Sequence, residues 1–280
     1  MSDISLAAFL AVHSQTILVE LVEVRGSTPR EAGTFMLVAK NAIWGTIGGG
    51  QFEYMAIDNA RAMLAGGGEA VMTIPLGPEI GQCCGGRTRL SFAIVTPAVA
   101  DTLERRLQDD DDSRPSVFLF GSGHVGLALA RALAPLPFAV TVIETRAEAL
   151  EGLPSEAARR LTAMPEACVA DIPPGGAAII LTHDHALDFL IAQQALARSD
   201  LAYVGMIGSA TKRATFAHWL DRQPGEDAEE MMARLVLPVG GSAVRDKRPA
   251  VIAALIAAEL LHKLAAMPRE RLSERQILAD

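Results

Sequence analysis

The segment Phe118-Leu119-Phe120-Gly121-Ser122-Gly123-His124-Val125-Gly126 limits the possible folds of this chain more than any other stretch. An apolar run leads into the pattern G-x-G-x-x-G, and Glu144 follows 23 residues after Gly121 at the end of the next apolar run. Each glycine has a separate physical task. Gly121 makes the tight turn out of a strand, Gly123 lets backbone N–H groups approach a pyrophosphate, and Gly126 lets helix and strand pack closely. An acid at Glu144 stands where a ribose hydroxyl would bond. Strand, turn, helix and acid in this register predict a Rossmann-like unit, with Gly121, Gly123, His124, Gly126 and Glu144 as candidate ligand contacts.

The rest of the second half agrees. Short apolar runs at 117–120, 139–143, 177–181 and 201–206 each precede a helical pattern, the alternation that builds a doubly wound parallel sheet. Residues 251–264 predict an apolar closing helix, whose Ile252, Leu255 and Ile256 suit either a core or a dimer face. Ligands of open parallel sheets sit beyond the carboxyl ends of strands, and two such ends carry polar chemistry. In Thr182-His183-Asp184-His185 the imidazoles form either a metal pair or a turn in which Asp184 caps a helix. In Gly208-Ser209-Ala210-Thr211-Lys212-Arg213, Ser209 and Lys212 either attract an anion to a helix N-terminus or form a capped helix with solvated cations.

The first half has a different rhythm. Residues 16–24 predict a strand, 35–38 and 43–47 a hairpin, 51–64 a helix, and 71–76 and 87–95 two further strands. In the last of these Leu90, Phe92 and Ile94 alternate with Arg89, Ser91 and Ala93, which predicts one buried and one partly wet face. This half is therefore expected to be α+β.

Between the halves, four consecutive acids at 109–112 and Pro115 read as a linker, giving an N-terminal domain over 1–108, an acidic linker over 109–115 and a Rossmann-like domain over 116–280. The formal net charge of −8, without a basic stripe, argues against nucleic acid as a ligand. No apolar run is long enough to span a bilayer, and a cytoplasmic location is expected. The three cysteines form no spaced disulfide framework.

Two glycine turns and a thiol doublet remain. Gly45-Thr46-Ile47-Gly48-Gly49-Gly50 ends a strand and starts a helix, so the amides of Gly48, Gly49 and Gly50 either face an anion or carbonyl or belong to a flexible turn. Arg25-Gly26-Ser27-Thr28-Pro29-Arg30 couples two arginines to a proline turn, suited to phosphate or to simple hairpin geometry. In Gly81-Gln82-Cys83-Cys84-Gly85-Gly86 the glycines free the chain to turn both thiols into one pocket, where Arg87 and Arg89 would favour a thiolate. Structural zinc is a poor fit, since Cys168 is the only other cysteine. The alternatives are reactive or ligand-binding thiols and buried inert ones.

Taken together, the Arg25–Arg30 segment, Gly45–Gly50 with Glu53, Gly81–Gly86 and the Rossmann-like half resemble the XdhC/CoxI family of xanthine dehydrogenase accessory proteins. The C-terminal half adds Gly121–Gly126 and Val204-Gly205-Met206-Ile207-Gly208-Ser209, and the segment from Pro238-Val239-Gly240-Gly241-Ser242 to Ala253 resembles the branch dedicated to xanthine dehydrogenase. The resemblance implies a protein that binds the molybdenum cofactor (molybdopterin) while a cysteine desulfurase supplies its sulfido ligand, then passes it to the molybdenum subunit of xanthine dehydrogenase. Cys83 and Cys84 would then contact the metal end, beside Arg25, Gly85 and Gly86. The amides of Gly48–Gly50 or Gly121–Gly126, with Ser209 and Lys212, would hold a phosphate. NAD(P) or another nucleotide is a second candidate ligand, and a homo-oligomer is expected. The competing readings are an NAD(P)-dependent oxidoreductase and a sulfurtransferase carrying a persulfide on Cys84.

Overall fold

Alternation of β-branched and apolar residues gives the first half its sheet. The computed structural model describes residues 4–78, 85–223 and 227–265, and the chain divides between Asp110 and Asp111 into two compact units. The N-terminal unit opens with helix α1 (Leu6–Val12), capped by Ser5. Strands β1 (Thr16–Arg25), β2 (Phe35–Ala39) and β3 (Ile43–Gly45) lead to helix α2 (Gly50–Leu64). Strands β4 (Val71–Pro75) and β5 (Arg87–Ile94) then precede helix α3 (Pro97–Asp112). The sheet is antiparallel throughout, in the order β3-β2-β1-β5-β4.

Both faces of this sheet are covered. Ile17, Val19, Leu90 and Phe92 pack beneath Phe52, Ala56 and Ala60 of α2, while Leu18 and Leu37 meet Phe9 of α1 and Leu103 of α3. The expected alternation of β5 therefore holds only in part. Ser91 is buried because it lies on a second covered face, and Ile94, at the strand's end, is two-thirds exposed. Glu20 and Arg106 tie β1 to α3 by an ion pair of 2.7 Å, with Arg106 lying over the Phe35 ring. Burial pushes the Glu20 carboxyl up, and the Arg106 guanidinium opposes that rise. The acid run Asp109–Asp112, expected as an irregular linker, is instead the last turn of α3. Acids are unfavourable at a helix C-terminus, and the Arg114–Asp111 pair, at 2.5 Å, offsets part of that repulsion.

The second unit has the predicted doubly wound form. Strands β6 (Ser116–Phe120), β7 (Ala139–Glu144), β8 (Ala158–Leu161), β9 (Ala177–Ile180), β10 (Tyr203–Met206) and β11 (Leu235–Val236) form a parallel sheet in the order β11-β10-β9-β6-β7-β8. Helices α4 (His124–Leu133) and α8 (Pro249–Leu260) pack against Val117, Leu119, Val140 and Ile179 on one face. Helices α5 (His185–Ala197), α6 (Ala210–Leu220) and α7 (Ala228–Arg234) pack against Phe118, Phe120, Ile180 and Met206 on the other. Ile256 is fully buried and Ile252 packs on the same cluster, so this face of α8 is core. The strand order reverses between β6 and β9, which opens a crevice beyond their carboxyl ends. No helix among the described residues is long and apolar enough to cross a membrane.

Candidate functional site

In the N-terminal unit, β1, β3 and β4 end, and β2, β5 and α2 begin, at one edge of the fold. Three sequence motifs meet there. Ser27 forms a parallel bridge with Gly85, and a Cβ on Gly86 would stand 2.2 Å from the Ser27 carbonyl oxygen and 2.7 Å from that of Arg25. The backbones of the two segments therefore touch with no room for a side chain. Backbone bonds from Leu76 N to Gly86 O (2.8 Å) and from Gly85 N to Leu76 O (2.9 Å) fix Gly85 and Gly86 beside the end of β4. The third motif adjoins the first, since a Cβ on Gly48 would meet Pro29 at 2.8 Å.

The glycine run has a conformational reason. Gly48, Gly49 and Gly50 have φ values of 131°, 77° and 71°, where side-chain-bearing residues are strained. Their amides were expected to face a ligand, yet the chain itself already engages two of them. The Glu53 carboxylate accepts from Ile47 N (2.9 Å), Gly49 N (3.1 Å) and the Thr46 hydroxyl, and Gly48 N donates to Thr46 Oγ1 (3.1 Å). The start of α2 carries no side-chain cap. Arg25 is exposed, and its Nε donates to Glu23 at 2.6 Å.

In the second unit the fingerprint glycines take the predicted tasks. Gly121 has φ of 108° and lies against Leu181, where a Cβ would stand 2.7 Å from the carbonyl oxygen. A Cβ on Gly126 would be 2.2 Å from Gly121 O, whereas one on Gly123 meets nothing within 4 Å. Gly123 is the N-cap of α4 and supplies no side-chain bond, and His124 beside it is exposed. Glu144 is buried, and its carboxylate accepts from Ser122 N (3.0 Å), Ser122 Oγ (3.0 Å), Thr145 N (2.8 Å) and the Arg146 guanidinium (3.3 Å). Burial pushes this carboxyl up, but the bonds from Arg146, Ser122 and Thr145 together outweigh it and hold the pKa at about 2. A ribose hydroxyl would have to displace one of these donors. Arg146, with its side chain 42% exposed, is the partner most readily moved.

Two clefts flank the crossover. One is lined by Gly121, Glu144, Thr145, Pro165, Thr182 and His183. The other, about 260 Å³, is lined by Thr182, His183, His185, Ile207, Gly208, Ser209 and Lys212. Asp184 caps α5, accepting from Ala186 N at 2.8 Å, and Ser209 caps α6. The Lys212 ammonium, expected to attract an anion, is paired with the fully buried Asp188 and donates to Ile207 O at 2.9 Å. Thr182 completes the knot by donating to Asp188 from its amide (3.1 Å) and hydroxyl (2.7 Å). Asp188 escaped the sequence reading because its partners come from the ends of β9 and α6. Its only local signal is that it is the one acid in the α5 segment, set among Leu187, Phe189 and Leu190.

Cys83 and Cys84, the candidate thiol and metal ligands, lie outside the described residues. Among the described residues no group of three or more His, Cys, Asp and Glu side chains is arranged to hold a metal. Cys168 is buried, and that burial pushes its thiol up against the opposing influence of Arg160.

A family model described as the XdhC Rossmann domain matches residues 117–260, and one described as the XdhC and CoxI family matches residues 10–75. The uncharacterized protein YqeB of Escherichia coli (strain K12) is 30% identical over 255 residues, which cover 87% of this chain. The match takes in only 42% of that curated relative's length. A crystal structure from Bacillus halodurans, described as a xanthine dehydrogenase, superposes with a TM-score of 0.76 at 16% identity, covering 95% of this chain and 97% of the other. At that identity the likeness is one of fold.

Proposed function

The chain belongs to the XdhC and CoxI family, and from that premise we propose that it is an accessory protein of xanthine dehydrogenase maturation: it carries the molybdenum cofactor as cargo, holds it during sulfuration by a cysteine desulfurase, and delivers it to the enzyme's molybdenum subunit. One observation carries this reading. The Gly86 backbone lies against Ser27 and Arg25, so Gly85 and Gly86, at the end of the Cys-Cys-Gly-Gly motif, share a seam closed to side chains with the Arg-Gly-Ser-Thr-Pro-Arg segment. Thiolate and dithiolene sulfur are soft partners for molybdenum, and Cys83 and Cys84 directly precede this seam in the sequence. Arginine supplies forked donors for the phosphate of such a cargo. On this reading Cys83 and Cys84 hold the metal end, Arg25, Gly85 and Gly86 form the wall beside it, and Gly48–Gly50 form the neighbouring turn.

The test is anaerobic purification followed by identification of the bound pterin and metal. Wild-type protein is expected to bind the cofactor and to restore activity to apo-xanthine dehydrogenase. Cys83→Ala and Cys84→Ala, singly and together, are expected to lose at least tenfold in cofactor retention while keeping the wild-type Tm. Full retention in the double variant would remove the thiols from the site.

The two clefts support a second reading, in which a nucleotide such as NAD(P) spans the crossover. They share Thr182 and His183, one of them borders Glu144 and the other borders Ser209 and Lys212, as the halves of a dinucleotide require. Calorimetric titration with NADH and NADPH tests it. Binding abolished by an added methyl at Gly123 supports the reading, and no heat at millimolar dinucleotide refutes it.

A further inference from the structure

We propose that Arg25 and Arg87 form a clamp for a phosphate dianion, a subsite that rests on the cargo reading above but can be tested without the cargo. The two arginines are directly paired across β1 and β5. Side chains so placed have Cβ atoms about 5 Å apart, and like charges there repel. Both are exposed, in a chain whose formal net charge is −8. A pair of strand ends stabilised by packing alone gains nothing from this arrangement.

A β-bulge creates the pair. The register of β1 on β5 shifts between Leu21 and Glu23, so Val22 is an extra residue opposite β5. Before the bulge Leu21 faces the α2 side with Leu90, its partner. Unbroken alternation would send Glu23 and Arg25 to that same apolar side. The inserted residue reverses them, and they join Arg89 and Arg87 on the opposite face.

The neighbouring groups leave the clamp charged. Glu23 stands opposite Arg89 and bonds Nε of Arg25, which leaves the terminal amines of Arg25 as donors. On its other side Arg87 is paired with Pro75, which brings no charge. Among the described residues the Arg87 side chain makes no hydrogen bond or ion pair. Immediately beyond the pair the two strands continue as bare peptide, since a Cβ on Gly26 would stand 3.3 Å from the Gly86 Cα. Two guanidinium forks beside a backbone step without side chains match the charge and breadth of a phosphate monoester or the end of a pyrophosphate.

Isothermal titration of the full chain with inorganic pyrophosphate tests the clamp. Binding that weakens with added salt is expected. Arg25→Gln and Arg87→Gln should each weaken it at least tenfold, and Arg87→Lys should fall between. Arg61→Gln makes the same charge change on α2 and should leave the affinity within twofold. Since the pair is repulsive, Arg87→Gln should keep or raise Tm, so a loss of binding is not a loss of fold. Absence of pyrophosphate binding, or equal affinities for Arg87→Gln and Arg61→Gln, overturns the clamp. Pyrophosphate binding without retention of any pterin would sink the cargo reading and leave the clamp standing. Pterin retention unaffected by both glutamine variants would do the reverse.

Discussion

The two glycine turns of this chain, 45–50 and 121–126, look alike in sequence, yet the units use them differently. Each precedes a helix and each is held by a glutamate. In the N-terminal unit three consecutive glycines take left-handed backbone angles, and Glu53, from the helix they introduce, ties the turn to its own helix. In the second unit only Gly121 has a positive φ within the fingerprint, Gly126 is needed for close contact, and Glu144 reaches the turn from the neighbouring strand. All three glycines of the first turn are required by backbone angle, whereas in the second Gly126 is required by the closeness of the Gly121 carbonyl, and of its glycines only Gly121 is needed for both angle and contact, lying against Leu181. A glycine pattern alone therefore does not tell which of these two demands a turn makes.

The largest expected effect tests the contact half of that contrast. Gly126→Ala places a methyl 2.2 Å from a backbone oxygen and should cost about 3 kcal/mol or more, measured by urea unfolding. A cost under about 1 kcal/mol would show that helix and strand separate easily, and the contrast would fail.

Next is the Glu144 carboxylate. Its pKa lies below the ordinary 4.5, at about 2, so its contribution to stability is complete above pH 4.5 and disappears as pH falls towards 2. The shift corresponds to up to about 3 kcal/mol. Glu144→Gln should lower Tm at pH 7 and flatten its decline between pH 4.5 and 2. Parallel acid curves for variant and wild type would show that Glu144 does not hold the turn.

Glu53→Ala should cost less, about 1–2 kcal/mol, because its bonds serve a local, half-exposed turn. The smallest effects separate angle from contact. A methyl at Gly49 or at Gly123 meets nothing within 4 Å, but Gly49 has φ of 77° and Gly123 has φ of −62°. Gly49→Ala should cost about 1–2 kcal/mol, and Gly123→Ala should stay within about 0.5 kcal/mol. Equal melting curves for the two would erase the distinction between the turns.

How much could be read in advance follows the same division. The runs of β6, β7, β9 and β10, the fingerprint, the helix caps Asp184 and Ser209 and the hairpin of β2 and β3 are patterns within a few residues, and each was legible, whereas the short, exposed β8 was not. Features joining distant segments were not. Arg106 and Glu20 are 86 positions apart, and nothing near Arg106 marks it as the buried half of a pair. Asp188 needs both Thr182 and Lys212. The acid run suggested a break because four aspartates repel, yet the helix that carries it is anchored upstream by Leu103 and Arg106. At the site, the motifs were visible and their meeting was not, because the Ser27–Gly85 bridge is a property of sheet order.

The extra residue at Val22 affects how relatives should be aligned. It acts as a parity switch: the strand's last three positions present one set of side chains or the other according to whether the count up to that point is odd or even. An alignment that opens a one-residue gap there would equate outward-pointing positions with inward-pointing ones, and would score a preserved arginine as lost. Homologues are best superposed from the glycine seam backwards, so that the kink, rather than the letter, is the quantity compared.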